Sequence, residues 1–230
     1  MKAELLNILG DDLMIVNAAR VSYGKKKDSF DDSDKKLINF LLKHKHASPF
    51  RHPQIQYRIN CPIFVERQLF KHQIGLTANS ISGRYVDFSE NCWFPNELRY
   101  QSSDSKQGSG DSFNDPELLQ EIKDHIEKSQ ILYQKLNDKN VAKELSRIIL
   151  PLSLNTVFIW TGSLWAFIHL FNLRLKSDAQ KETRILVSQM LDLLLQDGSF
   201  NNTLEILLSN DYLKLNGYEG AFVEKFILPK

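Results

Sequence analysis

The sequence predicts an α+β protein, with helices laid against a mostly antiparallel sheet. Three observations predict it. Ile55, Tyr57, Ile59 and Cys61 alternate with Gln54, Gln56, Arg58 and Asn60, the period of two that marks a half-buried strand. Several segments carry helix-start chemistry followed by apolar residues at helical spacing. The element order runs β-α-α-β-α, then strands and a loop, then a helical half.

Residues 2–9 read as a short strand. Asp11 and Asp12 can cap a helix over about 12–22, with Leu13, Val16, Ala19 and Arg20 at helical spacing. Gly24 to Asp28 is a solvated, lysine-rich loop. Asp31 to Ser33 cap a second helix with an apolar face of Leu37, Phe40 and Leu41, ending in Lys43-His44-Lys45-His46, where cations suit the negative end of a helix. Pro62, after the alternating strand, suits the first turn of a helix. Residues 101–115, rich in Ser, Gly, Asp and Gln, read as a mobile loop. Asp115-Pro116 opens a long helix to about Leu136, with Leu119, Ile122 and Ile126 inside. A helix over about 141–149 is stopped by Pro151. Leu152 to Trp160 can extend as a strand, Ser163 to Asn172 as a helix, and Ser177 with Gln180 forms a capping-box start for a helix over 178–195.

The chain has 230 residues, enough for one substantial core, and a single domain over 1–230 is expected. It is 42% hydrophobic and 25% charged with net charge +1, so no bulk field draws it to nucleic acid or anionic lipid. Anion binding then depends on local clusters. The only cysteines, Cys61 and Cys92, fit neither a metal motif nor a disulfide framework, which suggests a reducing, cytoplasmic setting. The N-terminus lacks signal-peptide character, and no apolar run is long enough to predict a membrane span.

Arg84, Arg147 and Arg174 each lie beside an apolar run. An arginine there either pairs with a carboxylate or receives an anionic ligand. Ser80, Ser82, Gly83 and Arg84 combine hydroxyls, backbone N–H groups and a guanidinium, which suits a phosphate; Ser-Gly is also ordinary turn chemistry. The six histidines, His44, His46, His52, His72, His125 and His169, have no matched acids or thiols at ligand spacing, and no metal is expected. Cys61, in an apolar strand before Pro62, reads as a small buried hydrophobe rather than a nucleophile.

Ala18-Ala19-Arg20-Val21-Ser22-Tyr23, His46-Ala47-Ser48-Pro49-Phe50-Arg51-His52, Pro62 to Gln68, Ser82-Gly83-Arg84-Tyr85, Leu145 to Leu152, Asn172-Leu173-Arg174 and Ala179-Gln180 occur in an order and spacing that resemble the flavin-dependent thymidylate synthases over about residues 10–195. The family's Arg-His-Arg then Ser motif appears as Lys71-His72-Gln73 and Ser82, with one residue more between them, and its Asn-Glu-x-Ser reads Asn79-Ser80-Ile81-Ser82. The resemblance implies that family's α+β fold and a homotetramer with active sites shared between subunits. It implies methylation of dUMP at C5 to dTMP, methylenetetrahydrofolate as carbon donor, FAD as hydride source and NADPH as its reductant. By position, Gln68, Lys71, Ser80, Ile81, Ser82, Gly83, Arg84 and Arg147 resemble the nucleotide site, and Arg174 the catalytic arginine at the pyrimidine. His46, Ser48, Lys71, His72, Gln73, Asn79, Ser163, Trp165 and His169 fall on the flavin side. There Gln73 stands for an arginine, Ser80 and Arg51 for glutamates, and Asp178 for a histidine. These departures keep two alternatives in view: folate-dependent hydroxymethylation of dUMP or dCMP, and a nucleotide-binding relative without turnover.

Overall fold

The computed structural model describes residues 1–88, 92–103 and 108–223. Its centre is a four-stranded antiparallel sheet in the order β1-β2-β6-β3, formed by β1 (Lys2–Leu9), β2 (Gln54–Pro62), β3 (Leu76–Ser80) and β6 (Asn155–Ser163). The alternation in β2 buries Ile55, Tyr57, Ile59 and Cys61 on one face. Opposite them on β6, Trp160 pairs with Tyr57, Phe158 with Ile59 and Thr156 with Cys61. Gly162 lets β3 approach: a Cβ there would lie 2.6 Å from the Gly75 carbonyl oxygen and 2.3 Å from a Leu76 methyl.

Helices cover the inward face. α6 (Leu164–Arg174) is buried over most of its girth, and Phe167 meets Tyr57 edge-on at 5.2 Å. α7 (Lys181–Asp197) adds Leu186, Val187, Met190, Leu191 and Leu194, and the Met190 carbonyl accepts the Tyr57 hydroxyl at 2.9 Å. α1 (Asp12–Arg20), α2 (Asp32–Lys43) and α8 (Asn201–Ser209) close one end. Asp11 caps α1, whereas the neighbouring Asp12 is buried and caps α8 through Asn202 and Thr203. α3 (Ile63–Leu69) follows β2 directly, as Pro62 predicts.

Several expectations are corrected. The buried face of α2 is Ile38, Leu41 and Leu42, the i, i+3, i+4 set; Phe40 is exposed, its ring 4.4 Å from His44 and 5.9 Å from His46. The strand expected at 152–160 lies at 155–163. The 141–149 helix is a single turn, α5 (Lys143–Ser146), continued by a 3-10 turn at Arg147–Ile149. α7 begins at Lys181 because Gln180 turns its amide toward Gln68 and Glu182 instead of capping. The 101–115 segment is not all loop: β5 (Ser109–Phe113) pairs with β4 (Leu98–Gln101), with the Tyr100 and Phe113 rings stacked at 4.3 Å. Residues 104–107 of that segment lie outside the described residues. α4 (Pro116–Asp138) is capped by Asp115, and its stripe extends to the buried Ile126 and Tyr133. No helix is long and apolar enough to cross a membrane among the described residues.

Candidate functional site

Chemistry-bearing side chains collect in two groups, on either side of α3. The first forms where the C-terminal ends of α3 and α6 meet the start of α7. Arg174, the last residue of α6, donates from Nε to His72 Nε2 at 2.9 Å and from Nη2 to the Gln68 carbonyl at 2.9 Å. No carboxylate pairs with it among the described residues, so its charge is uncompensated; burial alone lowers its pKa. Burial, then Arg174, then His169 push His72 down to about 4. A neutral imidazole accepting at Nε2 carries its proton on Nδ1. Arg174 is thus oriented by two neutral acceptors and keeps its full positive field.

The Gln68 side chain is fixed by α7. Its amide donates to Gln180 Oε1, and its oxygen accepts the Thr183 hydroxyl at 3.2 Å. Gln180 donates to Glu182 at 2.9 Å, and Glu182 accepts from Arg99 on β4 at 2.6 Å. Burial raises the Glu182 pKa, but Arg99, a backbone N–H and Gln180 outweigh it and hold the carboxyl below its ordinary value. A polar chain therefore runs from the β4–β5 hairpin to the residue that anchors Arg174.

The second group lines a cleft of about 240 Å³ bounded by Ile63, Glu66, Ser80, Gly83, Phe88 and Arg147. Ile81 still bonds β6, its N–H reaching the Val157 carbonyl at 2.8 Å. Beyond it the chain turns, with the Tyr85 and Val86 N–H groups on the Ser82 carbonyl at 3.0 and 3.1 Å. Gly83 is buried at this turn, and a Cβ there would lie 2.3 Å from the Phe88 ring and 3.4 Å from Arg147 Cδ. The Ser80 hydroxyl donates to Glu66 Oε1 at 2.9 Å. Burial pushes the Glu66 carboxyl up, moderated by Ser80. Arg147 is exposed and without a side-chain partner among the described residues, and Arg84 lies over the adjacent Tyr85 ring at 5.4 Å. The carboxylate pairing open to each of the three arginines is adopted by none of them among the described residues.

The structure thus brings Gln68, His72 and Arg174 together, with His169 near, and separately Ser80, Ile81, Ser82, Gly83 and Arg147. No hydrogen bond or ion pair joins the groups among the described residues. Lys71, Gln73 and Asn79 are exposed, the last on the edge strand β3. His46 and Ser48 are exposed in the turn after α2, with neither group. Ser163 is buried, and its hydroxyl caps α6 through the Ala166 N–H at 3.3 Å. Trp165 is half-buried, 5.8 Å from the Phe50 ring. Sequence reasoning missed Glu66, Arg99, Gln180, Thr183 and Glu182 as members of these groups. Glu66 and Gln180 stand inside segments that resemble the family, but nothing in their spacing joins them to Ser80 or Gln68.

The Thy1 family model, described as thymidylate synthase complementing protein, matches residues 4–197. A flavin-dependent thymidylate synthase from Kosmotoga olearia is 41% identical over 181 residues, covering 77% of this chain and 78% of its own. One from Treponema pallidum is 35% identical over 246 residues, covering 96% and 80%. Among solved structures, the UMP/dUMP methylase PolB from Streptomyces cacaoi, bound with 5-Br dUMP, superposes with a TM-score of 0.81 at 26% identity, covering 90% of this chain and 94% of its own. With its sheet, helices and both residue groups in place, the chain belongs to the Thy1 family of thymidylate synthase complementing proteins.

Proposed function

We propose that this protein methylates dUMP at C5 to give dTMP, with methylenetetrahydrofolate as carbon donor and a flavin as the redox cofactor. The observation that carries this reading is Arg174: a guanidinium without a carboxylate partner among the described residues, aimed by His72 and the Gln68 carbonyl. A cation fixed beside the N3/O2 edge of a pyrimidine stabilises negative charge on the ring and makes C5 more nucleophilic. Arg147 and Arg84 suit the phosphate. Cys61 is buried within β2, and burial pushes its thiol up to about 12, which disfavours it as a nucleophile and is consistent with electrostatic activation of the ring. The free thiols of Cys61 and Cys92 fit a reducing, cytoplasmic setting.

The flavin side supports FAD in part. Lys71, Gln73, Asn79, His46, Ser48 and His169 are exposed and offer donors to a diphosphate and ring edge, whereas Ser163 is engaged as a cap and His72 as the acceptor for Arg174. Reduced FAD, when bound, supplies the hydride, with NADPH as its reductant. A homotetramer with shared sites accounts for the two separate residue groups: one subunit offers Arg174 and Gln68, its neighbour Ser82, Gly83, Arg84 and Arg147. The exposed Leu145, Ile148 and Leu152 beside Arg147 are available for that contact.

Product analysis with methylenetetrahydrofolate, with and without NADPH, tests the reading. A methyl product that requires NADPH is expected; a hydroxymethyl product formed without reductant overturns it. Arg174→Ala should lower kcat by about 10²–10³-fold and change the dUMP Kd less. Loss of stability with no selective loss of turnover would assign Arg174 to packing.

A further inference from the structure

The cleft beside α3 is bipolar. Arg147 lines it as a cation with no side-chain partner among the described residues, and Glu66 lines it as an acid. The two do not pair with each other. Only one oxygen of Glu66 is occupied, Oε1, which receives the Ser80 hydroxyl at 2.9 Å; Oε2 has no hydrogen-bond partner among the described residues. The acid is half-buried in a cleft that Ile63, Leu154 and Phe88 also line. Holding a carboxylate in such a place costs desolvation, and its pKa is raised accordingly. Ser80 offsets only part of that cost. A second donor, delivered by a ligand, would complete the site.

The chemistry of a deoxyuridylate restricts that donor. Its phosphate and ring carbonyls are acceptors, which a carboxylate repels. Its donors are N3–H and the 3′-hydroxyl. If the N3 edge faces Arg174, as in the proposed methylation, the sugar hydroxyl remains. It lies between base and phosphate, as Glu66 lies in the same cleft as the phosphate-side Arg147. We propose that Glu66 is a substrate-binding residue whose Oε2 accepts the 3′-hydroxyl of the pyrimidine nucleotide, with Ser80 as the positioning residue that holds the carboxylate in register. The inference rests on the nucleotide reading of the site. It also gives a structural counterpart to the sequence departure at position 80. The serine at that position meets a carboxylate presented from α3 instead of bearing one.

The test compares binding of dUMP and 2′,3′-dideoxyuridine 5′-monophosphate to the full-length protein by calorimetry, in wild type, Glu66→Ala, Glu66→Gln and Ser80→Ala. A charge-assisted hydrogen bond predicts that wild type prefers dUMP by about ten- to hundredfold. Glu66→Ala should bring the ratio close to one, and Glu66→Gln, whose amide oxygen still accepts but without charge, should lower it clearly below the wild-type ratio. Both should bind the dideoxy analogue about as well as wild type, and Ser80→Ala should fall between wild type and Glu66→Ala. Glu66→Gln keeps the shape of the side chain and serves if the alanine variant does not fold. A wild type that binds both nucleotides equally, or a Glu66→Gln protein with the wild-type ratio, overturns the assignment and leaves the nucleotide reading standing. A wild type that binds neither nucleotide overturns both.

Discussion

Replacing Glu182 by alanine tests whether the polar chain behind Arg174 is a structural unit. Glu182 is 5% exposed at its side chain, and its partner Arg99 is 20% exposed. Breaking a buried ion pair by removing one member costs about 3–5 kcal/mol. Here the group left behind, Arg99, reaches water, which places Glu182→Ala at the low end, near 3 kcal/mol. The Gln180 amide also loses its acceptor, adding about 1 kcal/mol. The expected loss is about 3–4 kcal/mol, a fall in Tm of about 6–16 °C for a chain of this size. Arg99→Ala should be the more damaging single change at neutral pH, because it strands the more deeply buried carboxylate. Because the pair holds the Glu182 carboxyl below its ordinary value, its contribution is present above the usual carboxylate range and is lost as pH falls through the lowered pKa. Chemical denaturation of wild type, both single variants and the double variant gives the coupling energy directly. Single variants within about 0.5 kcal/mol of wild type, or a coupling of zero, would refute the reasoning. In turnover, Glu182→Ala should reduce kcat through Gln68 and Arg174 while leaving the second residue group intact.

Two further outcomes follow from individual contacts. Gly83→Ala puts a methyl 2.3 Å from the Phe88 ring and 3.4 Å from Arg147; overpacking of this kind costs about 1–3 kcal/mol, and displacing Arg147 should raise the dUMP Kd, read by calorimetry. Unchanged stability and affinity would show that the ring gives way freely. His72 titrates near 6.5 when unfolded and is pushed down to about 4 in the fold. The unfolded chain therefore binds more protons between those values, so stability rises with pH across the window and is lost on acidification. His72→Phe should flatten that slope by up to about 1.4 kcal/mol per pH unit, measured as unfolding free energy between pH 4 and 7; an identical slope would place the imidazole outside the burial described.

How much was legible depended on whether the signal was local. β2 was readable because Ile55, Tyr57, Ile59 and Cys61 each report burial at a period of two. α4 was readable because Asp115 and Pro116 satisfy a helix start by themselves. β3 gave no such pattern: Leu76–Ser80 is an edge strand, mostly exposed, and exists through its pairing with β6. The β4–β5 hairpin was hidden by its polar composition, and its stability comes from Tyr100 on Phe113 and Arg99 on Ser109 and Glu182. The capping box read at Ser177 and Gln180 failed because Gln180 had a stronger partner, Gln68, 112 residues earlier in the chain.

The site divides the same way. By itself the sequence supplied the residue types: Gln68, Ser82, Gly83, Arg84, Arg147 and Arg174 sit in local motifs whose family resemblance points to an anionic pyrimidine nucleotide. Only the tertiary structure decided what those groups bond to. It paired Arg174 with His72 and the Gln68 carbonyl, left Arg147 and Arg84 without carboxylates among the described residues, and set Glu66 against Ser80. Such partnerships are made when α3 packs between α7 and the sheet, joining residues up to 115 positions apart. A hydrogen bond depends on position and direction in space, and no local pattern along the chain records either.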